Sequence, residues 1–413
     1  MAHDVHLTSE ELLILNGKFG KAAQKAMEIL VGLARIYQAP RLIPISSVQV
    51  AGVSYDNLGE AGLRFLERWA DDGAKCVVQT TLNPAGMDIE NWQNLGIPSA
   101  FALRQMRVLE AYQRFGISPT CSCTPYLIGN LPKFGDHIAW SESSAVCYAN
   151  SVIGARTNRE GGPSALASAI IGKTADYGFH LEENRIPTVR VHVEAALPKG
   201  DLRTSCFGIL GKVIGESLVA SGKKEIPYIE GIEKASLEEL KAFSASIATY
   251  GGLALFHISG ITPEAKFFSP PQKTITLTQN EIHQSLETLQ NFLVNEIEFF
   301  SLGCPHLSLR EIEYVASLVK GKKVYKEFWL TTARDTKQLS DQMGYTVVIE
   351  ASGIKFAADT CCVVAPIQGR FKSMATDSAK ACYYGYTKNK FHSSLLPIEQ
   401  LIYLATTPPE RRL

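Results

Sequence analysis

The sequence predicts an α/β protein in which mostly parallel sheets are flanked by helices, in two or three packed domains around a central cleft. Apolar, strand-like runs alternate with amphipathic helical segments, which is the pattern of parallel βαβ architecture. The chain of 413 residues contains no tandem repeat, low-complexity segment or flexible linker, and we therefore expect its domains to pack against one another. At roughly 150 residues per domain, the length agrees with two or three domains.

The elements of an N-terminal region, which we set at residues 1–234, are predicted in chain order. Thr8 and Glu11 have the spacing of a capping box and predict a helix start. Over residues 21–37 small and apolar side chains recur at helical spacing, and Pro40 then ends the helix. The segments that follow predict a strand in RLIPISSVQV, a loop and helix in AGVSYDNLGEAGLRFLERWADDG, a strand and turn in AKCVVQTTLNPAGMD, a helix in AFALRQMRVLEAYQRFG, a short strand and loop in ISPTCSCTPYLIGN, and helices in WSESSAVCYANSVIG and SALASAIIG, the last with Ser164 as its cap.

A C-terminal region, residues 235–413, repeats the alternation. Its helices are predicted at 281–295 and 309–320, and Ser308 with Glu311 forms a second capping box. Its strand-like runs are GGLALFHISG, EIEFFSLGCPH, KKVYKEFWLTTA and YTVVIEASGIKFAADTCCVVAPI.

Composition excludes several classes of function. The net charge of +0 gives no basic surface for nucleic acid or an anionic membrane. No apolar stretch approaches the roughly 20 residues that span a bilayer, and the polar, acidic N-terminus is unlike a secretory signal. We therefore expect a cytoplasmic protein whose nine cysteines are core thiols, metal ligands or nucleophiles rather than disulfides.

Five unusual loops follow predicted strands. They are residues 51–55, 83–88, 121–126, 303–306 and 360–362. Because ligands of open α/β sheets bind beyond the carboxyl ends of the strands, these loops are expected to meet. The cysteines that they would bring together are Cys121 or Cys123, Cys304, and Cys361 or Cys362. The remaining cysteines lie in apolar runs and are read as core residues.

Three convergent thiolates without a fourth partner are a poor structural zinc site, which normally has four ligands. They suit an iron–sulfur cluster in which one iron has no protein ligand. Such an iron is a Lewis acid that can polarise a C–O bond as hydroxide leaves, while a base removes a proton from the neighbouring carbon. The sequence thus points to the dehydration of a hydroxy acid. The histidines are read as structural rather than as ligands, and His306, two residues after Cys304, is the one most worth testing.

Several longer motifs resemble the aconitase X family of iron–sulfur hydro-lyases. They are ISSVQVAGVSY, TLNPAGMD, CTPY, AWSESSAVCYANSVIGARTNREGGPSALASAI, GCPH and ADTC, and the likeness runs from about Leu42 to Lys380. The resemblance implies an aconitase-type fold with a [4Fe–4S] cluster, or [3Fe–4S] once the exposed iron is lost. It implies Cys123, Cys304 and Cys361 as ligands, with Cys121 and Cys362 as competitors. Neighbouring strand residues point to opposite faces, so Cys361 and Cys362 should not both reach one cluster.

The resemblance also implies a substrate site formed by Gly52, Val53 and Ser54, by Asn83 and Pro84, and by Lys380 as a charge for phosphate. Residues 52–54 precede a predicted helix, whose first N–H groups favour an anion. Arg156 and Arg159 could clamp a carboxylate or phosphate, or instead cap a helix and pair with Glu160 or Glu142.

In the family a swivelling domain, absent from this sequence, supplies a serine as catalytic base. One-chain members carry that domain themselves, and two-chain members carry it as a small subunit. We therefore expect this chain to be the large subunit of a heterodimer with a small swivel-domain subunit. The chain length and the loop ISSVQVAGVSY favour the archaeal two-chain members of the family, and the first hypothesis is dehydration of (R)-5-phosphomevalonate to trans-anhydromevalonate 5-phosphate for isoprenoid synthesis. Dehydration of cis-3-hydroxy-L-proline by a two-chain enzyme is the alternative. An RNA-binding iron sensor is a further alternative, although the neutral charge argues against phosphate contacts.

Overall fold

The computed structural model describes residues 5–198, 200, 202–220, 222, 225–290 and 296–408. The chain forms three successive groups of strands and helices, each with its own main sheet. Parallel pairing dominates all three sheets, so the α/β fold class predicted from the alternating pattern is confirmed. Among the described residues, no helix combines the length and the apolar character needed to cross a bilayer.

The first group contains a parallel three-stranded sheet in the order β3-β2-β4, together with an antiparallel pair of β1 and β5. Its helices are α1 (Ser9–Leu15), α2 (Lys21–Ile36), α3 (Tyr55–Asp71), α4 (Ser99–Arg114), α5 (Ser143–Tyr148) and α6 (Gly162–Ile171). Its strands are β1 (Leu42–Pro44), β2 (Ser47–Val50), β3 (Gln79–Leu82), β4 (Ala139–Trp140) and β5 (Lys173–Ala175). The buried face of α2 includes Ala26, Met27, Leu30 and Ala34, at the helical spacing that predicted it.

The second group contains a parallel four-stranded sheet in the order β8-β7-β6-β9. Its strands are β6 (Val189–Val193), β7 (Pro227–Glu230), β8 (His257–Ile258) and β9 (Thr274–Leu277), and its helices are α7 (Thr204–Ala220), α8 (Leu237–Tyr250) and α9 (Gln279–Glu287). The helix predicted over 281–295 therefore ends at Glu287, and residues 291–295 of that prediction lie outside the described residues.

The third group contains a parallel five-stranded sheet in the order β12-β11-β10-β13-β14. Its strands are β10 (Phe299–Leu302), β11 (Glu327–Thr332), β12 (Lys355–Ala358), β13 (Ser373–Thr376) and β14 (His392–Leu395). Its helices are α10 (Leu309–Val319), α11 (Arg334–Gln342), α12 (Tyr345–Ala351), α13 (Ala379–Thr387) and α14 (Ile398–Thr406). The Ser308–Glu311 capping box is present at the start of α10.

Three local predictions are wrong. The segment ISPTCSCTPYLIGN forms a loop with one 3₁₀ turn rather than a strand. The apolar start of YTVVIEASGIKFAAD is helix α12, and the strand begins only at Lys355, because a short apolar run is compatible with either structure. Ser164 lies inside α6, whose N-cap is Gly161, and its hydroxyl accepts the N–H of Gly161.

The division of the chain into residues 1–234 and 235–413 stays a prediction. Its boundary falls between β7 and α8, and strands on both sides of that boundary belong to the four-stranded sheet. The sheets themselves group the described residues into three successive parts.

Candidate metal centre

The loops that follow the parallel strands of the first and third sheets contact one another. The Ser54 hydroxyl, after β2, donates to the Val364 carbonyl at 2.9 Å. The Ala85 N–H, after β3, donates to the Asp359 carbonyl at 2.8 Å. Because both sets of loops leave the carboxyl ends of parallel strands, the two sheets present these ends to a shared site, where ligands of such sheets bind.

Cys123, Cys304 and Cys361 lie at this meeting point, and their residues are only 7%, 8% and 6% exposed. Burial raises the pKa of all three thiols, for Cys123 to about 12. Beyond burial, Glu142 and then Cys361 raise the pKa of Cys123. Lys380 lowers the pKa of Cys304 against the raising effects of Cys361 and Cys123. The three thiols are therefore close enough for their charges to interact, and the N–H of His306, two residues after Cys304, contacts Sγ of Cys123 at 3.2 Å.

The two competing cysteines have other surroundings. Cys121 packs in the core of the first group, and its thiol interacts with the backbone of Ala85. Cys362 packs among apolar side chains of the third sheet and hydrogen-bonds with Ser301, although its charge also reaches Cys304. These contacts favour Cys123 and Cys361 over their neighbours, and the ligand assignment itself stays a prediction.

Backbone N–H groups point at two of the sulfur atoms. The N–H of His306 donates to Sγ of Cys123 at 3.2 Å. The N–H groups of Val363 and Val364 interact with the thiol of Cys361 and lower its pKa against the effect of burial. Hydrogen bonds to sulfur stabilise thiolates and tune iron–sulfur clusters. Burial also lowers the pKa of His306 to about 4, which keeps its ring neutral.

Lys380 is a cation of the site. Its ammonium lies 2.5 Å from Oε1 of Glu142 and 2.6 Å from the Ser144 hydroxyl, and both charged side chains are buried. Burial lowers the pKa of Lys380, but Glu142 and the thiols of Cys304 and Cys123 outweigh it, so the pKa is raised and the group stays charged. Lys380 therefore links the helix start after β13 to the helix start after β4.

The predicted substrate loop lies directly before α3. Gly52 adopts a positive φ of 81° that other residues rarely accept, and Ser54 is the N-cap of α3. Val53 is buried, and its carbonyl accepts a hydrogen bond from Gln105 at 3.0 Å.

On the neighbouring strand end, Asn83 accepts a hydrogen bond from Gln49 at 3.3 Å, directly before Pro84. Gln49 in turn accepts the N–H of Glu142 at 2.9 Å, which connects this loop to the partner of Lys380. The substrate roles of residues 52–54, 83 and 84 stay predictions.

The two arginines lie elsewhere. Arg156 pairs with Glu182 at 2.9 Å and donates to the His180 carbonyl, rather than pairing with Glu160 or Glu142. Arg159 is exposed and lines a separate surface cavity that includes Leu253 and Leu255. The described contacts bring neither arginine to the cysteines, and a role in substrate binding stays a prediction for both.

A small cavity beside Cys304 contains charged residues that the sequence did not single out. Lys241 and Glu311 form a buried ion pair there, and the Thr204 hydroxyl donates to Asp377 at 2.8 Å. Burial raises the pKa of Asp377 to about 6, and the charge of Glu311 adds to the effect. In the sequence, Glu311 carried a signal only as part of a capping box, and Asp377 carried none.

The chemistry of the donor set fits an iron–sulfur cluster. It supplies three thiols, backbone N–H groups aimed at sulfur and two buried cations, Lys380 and, in the cavity beside Cys304, Lys241. Among the described residues, no three His, Cys, Asp or Glu side chains are close enough together to hold a single metal ion. A single ion requires ligand atoms about 2.3 Å away, whereas a cluster separates its cysteines by its own width. The binding of a cluster by these three thiols stays a prediction.

Comparison with known proteins adds three findings. The chain matches the family models "Aconitase X first domain" over residues 4–183, "Aconitase X second domain" over 187–287 and "Aconitase X third domain" over 297–407. It is 44% identical to the phosphomevalonate dehydratase large subunit of Methanocaldococcus jannaschii, over 92% of this chain and 95% of that protein. It is 34% identical to the cis-3-hydroxy-L-proline dehydratase of Hypocrea jecorina, over 92% of this chain but only 65% of that protein.

A solved structure agrees with these matches. The crystal structure of Thermococcus kodakaraensis aconitase X in its holo-form superimposes with a TM-score of 0.90 at 44% identity. The match covers 97% of this chain and 100% of that one.

Proposed function

The chain belongs to the aconitase X family, and from that premise we propose that it is the large, catalytic subunit of a phosphomevalonate dehydratase. The reaction is the removal of water from (R)-5-phosphomevalonate to give trans-anhydromevalonate 5-phosphate. The observation that carries the proposal is the contact between the three cysteine loops: the N–H of His306, two residues after Cys304, donates to Sγ of Cys123, and its ring hydrogen-bonds to Thr360, the residue before Cys361. The relative from Methanocaldococcus jannaschii supports the choice of substrate, because it matches this chain over nearly the full length of both.

The chemistry of the substrate explains why such a site is needed. Hydroxide is a poor leaving group, and the proton on the carbon beside the carboxylate is only weakly acidic, so the elimination needs help at both atoms. When bound, a cluster with one iron lacking a protein ligand supplies a Lewis acid for the substrate's C3 hydroxyl and carboxylate. Cys123, Cys304 and Cys361 would hold it, and the N–H groups of residues 306, 363 and 364 would stabilise its negative charge.

The chain's own residues would bind and orient the charged ends of the substrate. Lys380 stays protonated at the site, and its ammonium can exchange its Ser144 contact for an anionic oxygen while Glu142 keeps it in place. At the start of α3 the N–H of Tyr55 donates to Oε1 of Gln105 and the N–H of Asn57 donates to the Ser54 carbonyl, so this helix start has fewer N–H groups to offer an anion than an uncapped one. Val53 and Ser54 are buried, so water is excluded from the side of the site that these two residues form.

The proton acceptor is proposed to come from outside this chain. Aconitase X enzymes with two chains take a serine from the small subunit, and we propose the same heterodimer here. The serine would remove the C2 proton on the side of the substrate that the partner covers. We propose the cytoplasm as its location, where reducing conditions keep thiols free to bind iron.

The test is turnover by the reconstituted pair of chains. The large chain is produced anaerobically together with the proposed small, serine-bearing subunit, and 5-phosphomevalonate and cis-3-hydroxy-L-proline are supplied separately. We expect kcat/KM to be at least about 100-fold higher for 5-phosphomevalonate, because a site built for a phosphate leaves charged groups unpaired with the other substrate. The second candidate function, favoured by the 34% identical relative, predicts the reverse ratio. No turnover of either substrate by an iron-loaded pair would refute both.

A further inference from the structure

The imidazole of His306 connects all three cysteine-bearing loops. Its Nδ1 lies 3.2 Å from the hydroxyl of Ser122, the residue before Cys123. Its Nε2 lies 2.9 Å from the carbonyl of Thr360, the residue before Cys361. His306 itself lies two residues after Cys304 and is fully buried.

The partners of the ring fix its tautomer. A carbonyl oxygen only accepts hydrogen bonds, so Nε2 must carry the proton that is donated to Thr360. In the neutral ring Nδ1 then accepts the hydroxyl proton of Ser122, whose oxygen accepts the N–H of Thr124 at 3.2 Å. Both ring nitrogens are thus occupied, and neither has a lone pair available for a metal.

The backbone of His306 is held as firmly as its ring. Its N–H donates to Sγ of Cys123 at 3.2 Å. Its carbonyl accepts a hydrogen bond at 2.8 Å from Lys241, a buried residue of α8 in the second group. One residue therefore joins loops from the first and third sheets to a helix of the second.

We infer that His306 is a positioning residue that holds the loops of Cys123, Cys304 and Cys361 in the arrangement that receives the cluster. The inference rests on the proposed function for the identity of that cluster. These loops come from segments about 180 and 55 residues apart in sequence, so no local turn sets their spacing. Side chains that hold ligands in place commonly decide metal affinity by 10- to 100-fold.

The variants are His306→Ala, His306→Gln and a matched control, His257→Gln. The carboxamide nitrogen of glutamine can reach the position of Nε2 and donate to Thr360, so this variant keeps one of the two contacts. His257 lies on strand β8, away from the three site cysteines, and is as fully buried as His306. Its Nε2 also hydrogen-bonds a carbonyl, that of Arg185, at 2.8 Å. The control therefore measures the effect of losing a buried histidine as such.

The first measurement uses the full-length chain after iron removal by a chelator. The rate at which iodoacetamide modifies each cysteine is followed by mass spectrometry, with Cys147, a buried cysteine of α5, as the internal reference. In His306→Ala we expect the three site cysteines to react about tenfold faster. In the wild type, local opening of the loops must break the hydrogen bonds of the His306 ring, and the alanine variant lacks that cost. The labelling rates in His306→Gln should lie between those of the wild type and His306→Ala. The rates of the site cysteines in His257→Gln, and the rate of Cys147 in every variant, should equal those of the wild type.

The second measurement uses the pair of chains reconstituted with iron and sulfide. We expect His306→Ala to retain less than half of the wild-type iron and to show a changed electron paramagnetic resonance signal from the reduced cluster, with partial rescue in His306→Gln. Wild-type labelling rates and a wild-type signal in His306→Ala would overturn the inference. So would equal changes in His257→Gln. If the wild-type chain binds no cluster, the proposed function fails, while the labelling rates still decide the role of His306.

Discussion

Replacing Lys380 with methionine removes the only cation that the described contacts place against the Glu142 carboxylate. The two charged atoms lie 2.5 Å apart, and the side chains are 9% and 7% exposed. At an effective dielectric constant of about 20, the attraction between unit charges at that distance is about 7 kcal/mol. Loss of hydration on burial offsets part of it, and breaking a buried pair typically costs about 3–5 kcal/mol because the remaining charge is left alone. We expect Lys380→Met to lower the free energy of unfolding by this amount at pH 7.5.

The effect should depend on pH with a definite sign. Burial raises the pKa of Glu142, but Lys380 and the hydrogen bonds of residues 144 and 145 outweigh it, so the pKa lies below its ordinary value of 4.5. In the wild type the pair's contribution is full above pH 4.5 and is lost as the pH falls through the lower folded pKa. Without Lys380, burial dominates and the folded pKa rises above 4.5. The penalty is then full at high pH and fades as the pH falls towards 4.5.

The assay is urea unfolding of the iron-free chain at pH 7.5 and pH 5.0. Glu142→Gln and the double variant complete a double-mutant cycle. The double variant should recover much of the loss, because a neutral amide needs no counter-ion. Arg64→Met, which breaks a solvent-exposed pair with Glu60, is the control and should leave the midpoint nearly unchanged. Additive single losses, or an equal loss at both pH values, would refute the buried pair.

Three further predictions test other parts of the site. Gly303→Ala should destabilise the chain by at least about 2 kcal/mol in urea unfolding, because the residue has a φ of 104° and a Cβ would lie 2.1 Å from the Thr331 carbonyl. Asp377→Asn should raise the free energy of unfolding by up to about 3 kcal/mol at pH 8 and by about half of that at pH 5, because burial raises the folded pKa from 3.8 to about 6, so the penalty of the ionised form grows above pH 3.8 and is full above the folded pKa; an equal gain at both pH values would contradict this. Cys304→Ala should abolish the iron content and visible absorbance of the reconstituted protein, whereas Cys147→Ala should keep both.

The architecture was predictable because its signals are local. A buried stripe at helical spacing predicted α2, and the capping boxes at Thr8 and Ser308 predicted the starts of α1 and α10, all of which the structure contains. A capping box depends on contacts between residues three apart, so folding of the rest of the chain changes it little. The misassigned segment at 345–351 lacks such a signal, since its apolar run fits a strand as well as a helix.

The neighbourhood of the cysteines was predictable from topology. Parallel strands end at the same edge of a sheet, so loops after strands are brought together whatever their separation in sequence. That argument identified the loops of residues 123, 304 and 361, although one of them follows no strand of its own. It could not choose between adjacent cysteines, because the direction of a thiol depends on loop dihedral angles that sequence does not fix.

The electrostatic partners could not be predicted. Lys380 and Glu142 are 238 residues apart, and no spacing rule connects an N-cap residue of α5 to the second residue of α13. The same holds for Arg156, which the sequence paired with Glu160 or Glu142 and the structure pairs with Glu182. Ion pairs between segments that no spacing rule connects depend on the final packing, and the sequence alone does not reveal them.

The position of Cys361 relative to Cys123 is determined by contacts between the first and third groups rather than by the chain that connects them. Asp88, fully buried in the loop after β3, accepts the Ala358 N–H at 2.9 Å and pairs with Arg334 at 2.6 Å. Arg334 also pairs with Asp359, two residues before Cys361. A buried ion network of this kind adds little net stability, because desolvation offsets the attraction. Its charges nevertheless penalise any other docking of the two loops, since a displaced Asp88 would be left buried without a cation. The network therefore favours the docking that the structure contains, in which the loop after β3 lies against the strand end that precedes Cys361.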